Sequence, residues 1–331
     1  EKNQLLCGSR HNFASIFDLS PEETPQIHAA SSKIASTAWH PNGVILATGG
    51  DAEVVELWET RKQELLQTLR DPEGTLVRVH DIAFGEDGAL VAAAGRLKDD
   101  VVIWNTETGE FVRRLVGPTY EKLNDYTGIH CLAWNQASKR IAAGNSDRQI
   151  HLWDVSTGAL QTTIHSEFYV RDVLFLPFAE GRYLAVCGDR MVEIWDTEHQ
   201  SRITDARLPR SGWSLAFDAN GNQLAASFGN ERPRDSRLSG HGGVLVWRCE
   251  ETSKGIELTN QRRLDGGDFV IKSIDFTVDG KRLLGGGVEG SVYTWDVVNA
   301  RTDHREPEIL KLSAGIDEIF SVSASPNGTR V

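Results

Sequence analysis

Residues 129–158 read IHCLAWNQASKRIAAGNSDRQIHLWDVSTG. Three short apolar runs lie in this stretch, and turn chemistry ends each of them. Ile129–Trp134 runs into Asn135-Gln136-Ala137-Ser138. Arg140–Ala143 runs into Gly144-Asn145-Ser146-Asp147, and Ile150–Trp153 into Asp154 and then Ser156-Thr157-Gly158. Runs this short between Gly, Asn, Asp and Ser clusters are strands, because a helix needs about ten or more residues to bury a face. The stretch therefore predicts an antiparallel meander whose third strand ends on Trp-Asp.

The same unit recurs on both sides. The tryptophan that ends the third strand returns as Trp58, Trp104, Trp153, Trp195, Trp247 and Trp295, with gaps of 46, 49, 42, 52 and 48 residues. Phe17 stands 41 residues before Trp58 and reads as a further member with Phe for Trp. Each copy has a first strand with an aromatic near its end: Trp39, Phe84, Trp134, Phe175, Phe217 and Phe276. Turns such as Pro41-Asn42-Gly43, Glu86-Asp87-Gly88 and Val278-Asp279-Gly280 follow, and Asn-Gly or Asp-Gly supplies the positive φ of a tight hairpin. The second strands read VILATGG, LVAAAG, RIAAGN, YLAVCG, QLAASFG and RLLGGG. A period in this range marks a repeat architecture.

Six tryptophan-anchored copies with ordered internal turns resemble the WD-repeat (WD40) family of β-propellers over essentially the whole chain. The resemblance implies an all-β fold of four-stranded antiparallel blades around a central channel. The chain ends fit such a ring. Ile319–Val331 reads as one more first strand with the turn Pro326-Asn327-Gly328. At the other end NQLLCGS, FASIFDL and the segment from Thr24 to His28 read as second, third and fourth strands. The expectation is a seven-bladed β-propeller occupying residues 1–331 as one domain, its last blade shared between the N- and C-termini. The chain begins at Glu1 and its single methionine is Met191, so it is expected to be cut from a longer protein. Thr329–Val331 starts a second strand that the N-terminal segment would already fill.

The resemblance also exposes departures. A regular repeat of the family carries Gly-His before its first strand, the His being bonded to a Ser or Thr, the Trp and a turn Asp. The corresponding positions here are Ala30, Thr75, Asp125, Ser166, Leu208, Gly267 and Gly315, none of them His. The turn aspartate is kept best as Asp147 and Asp189. The buried polar network is therefore expected to be mostly lost, leaving stability to apolar packing between blades.

A net charge of -12 and 40% apolar residues suit a globular protein and argue against a general nucleic-acid binder, which needs a basic face. No apolar run approaches the roughly 18 residues that span a bilayer, so neither nucleic acid nor membrane is an expected partner. The domain is expected to be monomeric. Cys7, Cys131, Cys187 and Cys249 form no C-x-x-C pair. They read as packed free thiols, which favours a reducing, cytoplasmic setting.

No catalytic constellation is legible. Gly285-Gly286-Gly287-Val288-Glu289-Gly290 fits G-x-G-x-x-G, but a strand follows it where phosphate binding requires a helix N-terminus. No H-E-x-x-H and no G-x-S-x-G occurs, so no enzyme activity, metal or cofactor is expected. The competing class is a propeller enzyme with a metal- or cofactor-dependent site in its channel, which would show as a stoichiometric ion in the purified protein.

Recognition remains. In the resemblance, the loops leading into each first strand share the channel-mouth face with the loops between strands two and three. The residue four before each first-strand aromatic is Ala35, His80, His130, Arg171, Trp213, Lys272 and Phe320, with Lys33, Arg78 and Tyr169 two residues earlier in their copies. We take His80, His130, Tyr169, Arg171, Trp213, Lys272 and Phe320 as the expected partner-binding set. Basic and aromatic groups around one opening suit a protein or peptide partner that is acidic or phosphorylated. Trp213 has no repeat duty; it is either a partner contact or filler in an irregular blade. Two long loops share this face, 116–127 and 228–242. Arg232, Arg234 and Arg237 in the second either grip an acidic partner or are balanced by Glu231 and Asp235.

Overall fold

The computed structural model describes residues 4–9, 13–18, 26–29, 33–96, 98–118, 128–135, 137–218, 222–229, 242–266, 270–287, 290–298, 308–311 and 318–326. Strands β1 (Gln4–Ser9), β2 (Phe13–Asp18) and β3 (Gln26–Ala29) come first. Then β4 (Ile34–Trp39), β5 (Ile45–Gly50), β6 (Val54–Glu59) and β7 (Glu64–Arg70) form a meander. The second is β8 (Val77–Phe84), β9 (Leu90–Arg96), β10 (Val101–Asn105) and β11 (Phe111–Leu115). The third is β12 (Ile129–Asn135), β13 (Arg140–Asn145), β14 (Gln149–Asp154) and β15 (Leu160–His165). The fourth is β16 (Asp172–Phe175), β17 (Tyr183–Gly188), β18 (Met191–Asp196) and β19 (Ser201–Arg207). The fifth is β20 (Gly212–Phe217), β21 (Gln223–Phe228), β22 (Gly243–Thr252) and β23 (Gly255–Asp265). The sixth is β24 (Ile271–Phe276), β25 (Arg282–Gly287), β26 (Ser291–Asp296) and β27 (Glu308–Lys311), after which β28 (Ile319–Ala324) follows.

The all-β propeller expectation holds, and the expectation of seven blades is corrected in one respect. The continuous blades, each of four consecutive strands, number six. The remaining four-stranded sheet, in the order β28-β1-β2-β3, is assembled from both ends of the chain. Leu5 stands opposite Ala324 and Cys7 opposite Val322. The reason is edge chemistry: β28 alone would leave its backbone donors and acceptors unpaired, and β1 satisfies them. Side chains of β1, β2 and β3 lie outside the described residues, as do Thr329–Val331.

Turn residues behave as their chemistry requires. Gly43, Gly88 and Gly280 adopt φ of 66°, 74° and 64°, and Asn42 Oδ1 accepts the Val44 N–H at 2.9 Å to lock its hairpin. Gly285, Gly286 and Gly287 of the G-x-G-x-x-G segment end β25, and β26 begins just past its last glycine, at Ser291. The apolar cores sit between neighbouring blades. One joins Val55, Leu57 and Leu69 to Val79, Ile82 and Trp104; the next joins Ile103 and Leu115 to Ile129, Ile141 and Trp153.

A column of small polar side chains, three residues before each first-strand aromatic, ties the innermost strands together. Ser36 Oγ accepts the Ile82 N–H at 3.2 Å, and Asp81 accepts the Leu132 N–H at 2.7 Å. Asp172 accepts from Leu215 at 2.7 Å, Ser214 from Ile274 at 3.3 Å, and Ser273 from Val322 at 3.0 Å. Ser321 accepts the Thr37 N–H at 3.3 Å, which links β28 back to β4. The series is broken at Cys131, where the Val173 N–H turns to Asp172 of its own strand, at 2.8 Å. Each bond connects one innermost strand to the next, so the column fixes blade spacing around the axis.

Two members of this column, and Asp275 beside it, are carboxyls with altered acidity. Burial pushes Asp81 and Asp275 up to about 6. Burial, and behind it the Asp81 charge, pushes Asp172 up to about 7 against the bond from Leu215. A carboxyl whose pKa rises on folding holds its proton more tightly in the folded chain. Its contribution to stability is therefore complete below the ordinary carboxylate value and is lost as pH rises through about 7. In Asp172→Asn that loss is absent. The difference in melting temperature, variant minus parent, is expected to grow by roughly 3 °C or more between pH 4 and pH 8 in thermal scans. A difference that stays flat across this range overturns the assignment.

Trp104, Trp153 and Trp295 donate to backbone carbonyls instead of a histidine network, yet two copies hold buried polar networks of another make-up. His151, in β14 two residues before Trp153, is fully buried and bonds Asp99 at 3.0 Å and Thr163 at 2.9 Å. Asn145 Nδ2 donates to the same Asp99 oxygen at 2.5 Å. Asp99 belongs to the β9–β10 turn, so the network crosses between blades. In the next blade Glu193 accepts from Ser166, Trp195 and Arg202 at 3.1, 2.9 and 2.9 Å. The His that the repeat lacks before its first strand is supplied, in this copy, from the third.

Candidate protein-interaction rim

Because each first strand starts at the same end of its blade, residues at its entry gather at one end of the ring. The structure brings the expected set together as a nearly continuous belt. The rings of His80 in β8 and His130 in β12 stack at 4.9 Å between centroids, 15° apart. His130 meets Tyr169, just ahead of β16, at 5.0 Å. The Arg171 guanidinium lies 5.2 Å from the Tyr169 ring and 3.8 Å from the Trp213 ring of β20. Lys272 Nζ in β24 reaches Trp213 at 5.4 Å and Phe320 in β28 at 4.7 Å. Lys33 stands 4.6 Å from Phe320 on its other neighbour's side. Ala35 interrupts the belt between Lys33 and His80. All seven expected residues are half-buried, which is the exposure of a rim rather than of a core.

Each cation is held differently. Lys272 pairs with Glu318 at 2.7 Å, and Arg78 with Asp51 at 2.9 Å. Arg171 has no ion pair or side-chain hydrogen bond among the described residues, and its Nε is buried without a partner. Aromatic faces fix its plane instead. Such contacts contribute about 0.5–2 kcal/mol each while leaving the guanidinium N–H fork unspent. His80 Nδ1 lies 3.0 Å from the Ile129 carbonyl. A carbonyl only accepts, so this nitrogen carries the proton. Trp213 donates Nε1–H to the Gly229 carbonyl at 3.2 Å. It thus anchors the fifth blade and stacks with a cation at once, so the two readings of it are not exclusive.

Glu318 was not legible as the Lys272 counter-ion, since it precedes a first strand whose register becomes clear only once the ends pair. The polar column below the rim was legible in principle: Ser36, Asp81, Cys131, Asp172, Ser214, Ser273 and Ser321 share one register position. Residues 119–127 and 230–241, with Arg232, Arg234 and Arg237, lie outside the described residues. At the other end of the fourth blade Asp196, Glu198 and His199 have metal-ligand spacing. Arg182 Nη2 already sits 2.5 Å from Asp196 Oδ2, and a guanidinium there fills the place a cation would take. Burial works against the Asp196 carboxylate, but the bonds from Arg182 and His199 outweigh it and hold its pKa below the usual range.

Comparison with known proteins agrees with this architecture. A family model described as WD domain, G-beta repeat matches residues 20–59 and 118–154. Protein tipD of Dictyostelium discoideum is 24% identical over 279 residues, covering 82% of this chain and 41% of that protein. Cell division cycle 20.1, cofactor of APC complex, of Arabidopsis thaliana is 25% identical over 252 residues, covering 72% and 50%. Autophagy-related protein 16 of Arabidopsis thaliana is 24% identical over 314 residues, covering 82% and 57%. The chain thus spans about half the length of these relatives. Among solved structures, a chain in the crystal structure of the mitotic checkpoint complex aligns with a TM-score of 0.72 at 16% identity, over 88% of this chain and 84% of that one. This last likeness is one of fold.

Proposed function

We propose that this chain, a WD-repeat protein, is a non-catalytic platform that holds a protein or peptide partner on its rim. The observation that carries the reading is Arg171, a guanidinium clamped by Tyr169 and Trp213 that makes no ion pair or side-chain hydrogen bond among the described residues. A planar fork held in place binds carboxylate or phosphate bidentately at little ordering cost. The stacked rings beside it offer apolar area to the rest of a peptide. The partner is accordingly an acidic or phosphorylated segment. The name of one relative, a cofactor of a complex, supports a protein partner but says nothing of its charge. Buried free Cys131, Cys187 and Cys249 fit a reducing compartment, which supports a cytoplasmic setting.

Arrays of acidic, phosphoserine-containing and uncharged peptides test it. Acidic or phosphorylated sequences are expected to be retained preferentially and to wash off between about 0.1 and 1 M salt, as screening shortens the reach of charge. Trp213→Ala is expected to weaken retention about tenfold or more, as loss of an aromatic anchor does, while Lys254→Glu in the β22–β23 turn leaves it unchanged. Equal retention of uncharged peptides, or no effect of Trp213→Ala, removes the rim as the site.

A further inference from the structure

The end of the propeller away from the rim carries a feature that the rim reading does not use. Between the second and third blades lies a cleft of about 260 Å³, lined by Leu90, Ile103, Val112, Trp134, Val155 and, at its polar edge, Arg113, Lys139 and Ser156. These residues come from strand ends and hairpins far from the β12 entry: Trp134 closes β12, and Lys139 lies in the β12–β13 turn. The floor is apolar and the edge is cationic. Arg113 is aimed along the edge by its bond to the Ser156 carbonyl at 2.7 Å, and the Lys139 side chain is exposed.

Two independent observations mark the cleft as a place of binding rather than a packing gap. The first is Trp134. Its Nε1–H is buried and has no hydrogen-bond partner among the described residues. The matching tryptophan of the first blade, Trp39, donates to the Ser323 carbonyl of the strand beside it at 3.2 Å. A buried donor without an acceptor costs about 1–3 kcal/mol, so the indole that walls the cleft is free of the hydrogen bond that fixes Trp39. The second is the surface around it. Leu65, Leu66, Phe111, Val112 and Leu160, between 38% and 46% exposed, all lie near the start of the outermost strands β7, β11 and β15. Exposed apolar side chains therefore stand at the same end of each of the first three blades, and one of them, Val112, lines the cleft.

We propose that this cleft is a second recognition site for a peptide segment that inserts one aromatic side chain and flanks it with carboxylates. The volume is below the roughly 300–1,000 Å³ of a site for a drug-sized ligand, so it takes one side chain, not a cofactor. An aromatic ring suits walls of Leu90, Ile103 and Val155, with the Arg113 guanidinium at its edge as a cation–π partner. Arg113 and Lys139 select flanking carboxylates on a chain whose net charge is otherwise -12.

The indole N–H resonance of Trp134, assigned with Trp134→Phe in the ¹⁵N-labelled full chain, reads the site directly. Three probes are titrated: acetyl-Glu-Phe-Glu-amide, acetyl-Lys-Phe-Lys-amide and acetyl-Glu-Gly-Glu-amide. The first is expected to shift the Trp134 signal saturably. The other two are expected to bind at least about fivefold more weakly, the worth of one exposed charge pair or of one ring. Lys139→Glu, an exposed change that leaves the core intact, is expected to weaken the first probe by the same factor. A Trp134 signal unmoved by acetyl-Glu-Phe-Glu-amide overturns the proposal, and so does equal binding of the lysine probe. Self-association in sedimentation that Lys139→Glu abolishes would place a second copy of the chain in the cleft and also overturn it.

Discussion

Arg171→Glu is expected to lower the affinity of the rim for an acidic or phosphorylated peptide about a hundredfold, with no loss of fold. The size of the effect follows from what Arg171 gives and what Glu would impose. Truncating a central interfacial anchor typically costs about 2–4 kcal/mol, and tenfold in affinity is about 1.4 kcal/mol. Glutamate adds repulsion of the anion. Arg171→Lys separates charge from geometry. Lysine keeps the cation but loses the flat fork that stacks 3.8 Å from Trp213, so it should recover only part of the affinity. Titration calorimetry with a phosphoserine peptide selected from the array measures all three proteins. Full recovery by lysine would show that only net charge matters, and unchanged binding by Arg171→Glu would remove Arg171 from the site.

Asp99→Ala is expected to be the most damaging single change away from the rim. Its carboxylate is 1% exposed and accepts from His151, which is 0% exposed, and from Asn145. Removing it strands two buried donors between the second and third blades. Breaking a buried pair from one side costs about 3–5 kcal/mol, which corresponds to a drop of about 5–10 °C in melting temperature for a chain of this size. Asp99→Asn keeps an acceptor oxygen and should cost less. The double variant Asp99→Ala with His151→Leu should be more stable than Asp99→Ala alone, because it removes the stranded ring as well as its acceptor. Denaturant unfolding of the four proteins settles the order. A cost below about 1 kcal/mol for Asp99→Ala would show that water replaces the carboxylate freely.

The fold was readable from sequence because its signal is redundant. Trp58, Trp104, Trp153, Trp195, Trp247 and Trp295 repeat one register, and each is followed by chemistry that only a turn tolerates. Even the composite sheet was legible, since Ile319–Ala324 lacked partners that Gln4–Ala29 could supply. The rim residues were found by the same counting, because a position fixed relative to a strand is fixed in space once strands radiate from one axis. What counting missed depends on contacts across blades. His151 could not be matched to a position before the first strand, because its acceptor, Asp99, lies 52 residues away in the previous copy. Nor could spacing show that Lys272 has a counter-ion while Arg171 has none among the described residues. The cleft at Trp134 escaped for the same reason: its walls come from two copies, and within one copy Trp134 looks like any other strand-ending aromatic.

The pairing of β1 with β28 has a mechanical consequence. Leu5 lies opposite Ala324, and Gly8 opposite Ser321, so the start of one strand and the finish of the other emerge at the same end of the sheet. Tension applied between them would load the interstrand bonds one after another, as in opening a zipper, instead of all together in shear. The seam that closes the ring is therefore the weakest line against pulling on the chain ends, although the same bonds resist thermal fraying. A load carried through the continuous blades would meet no such line.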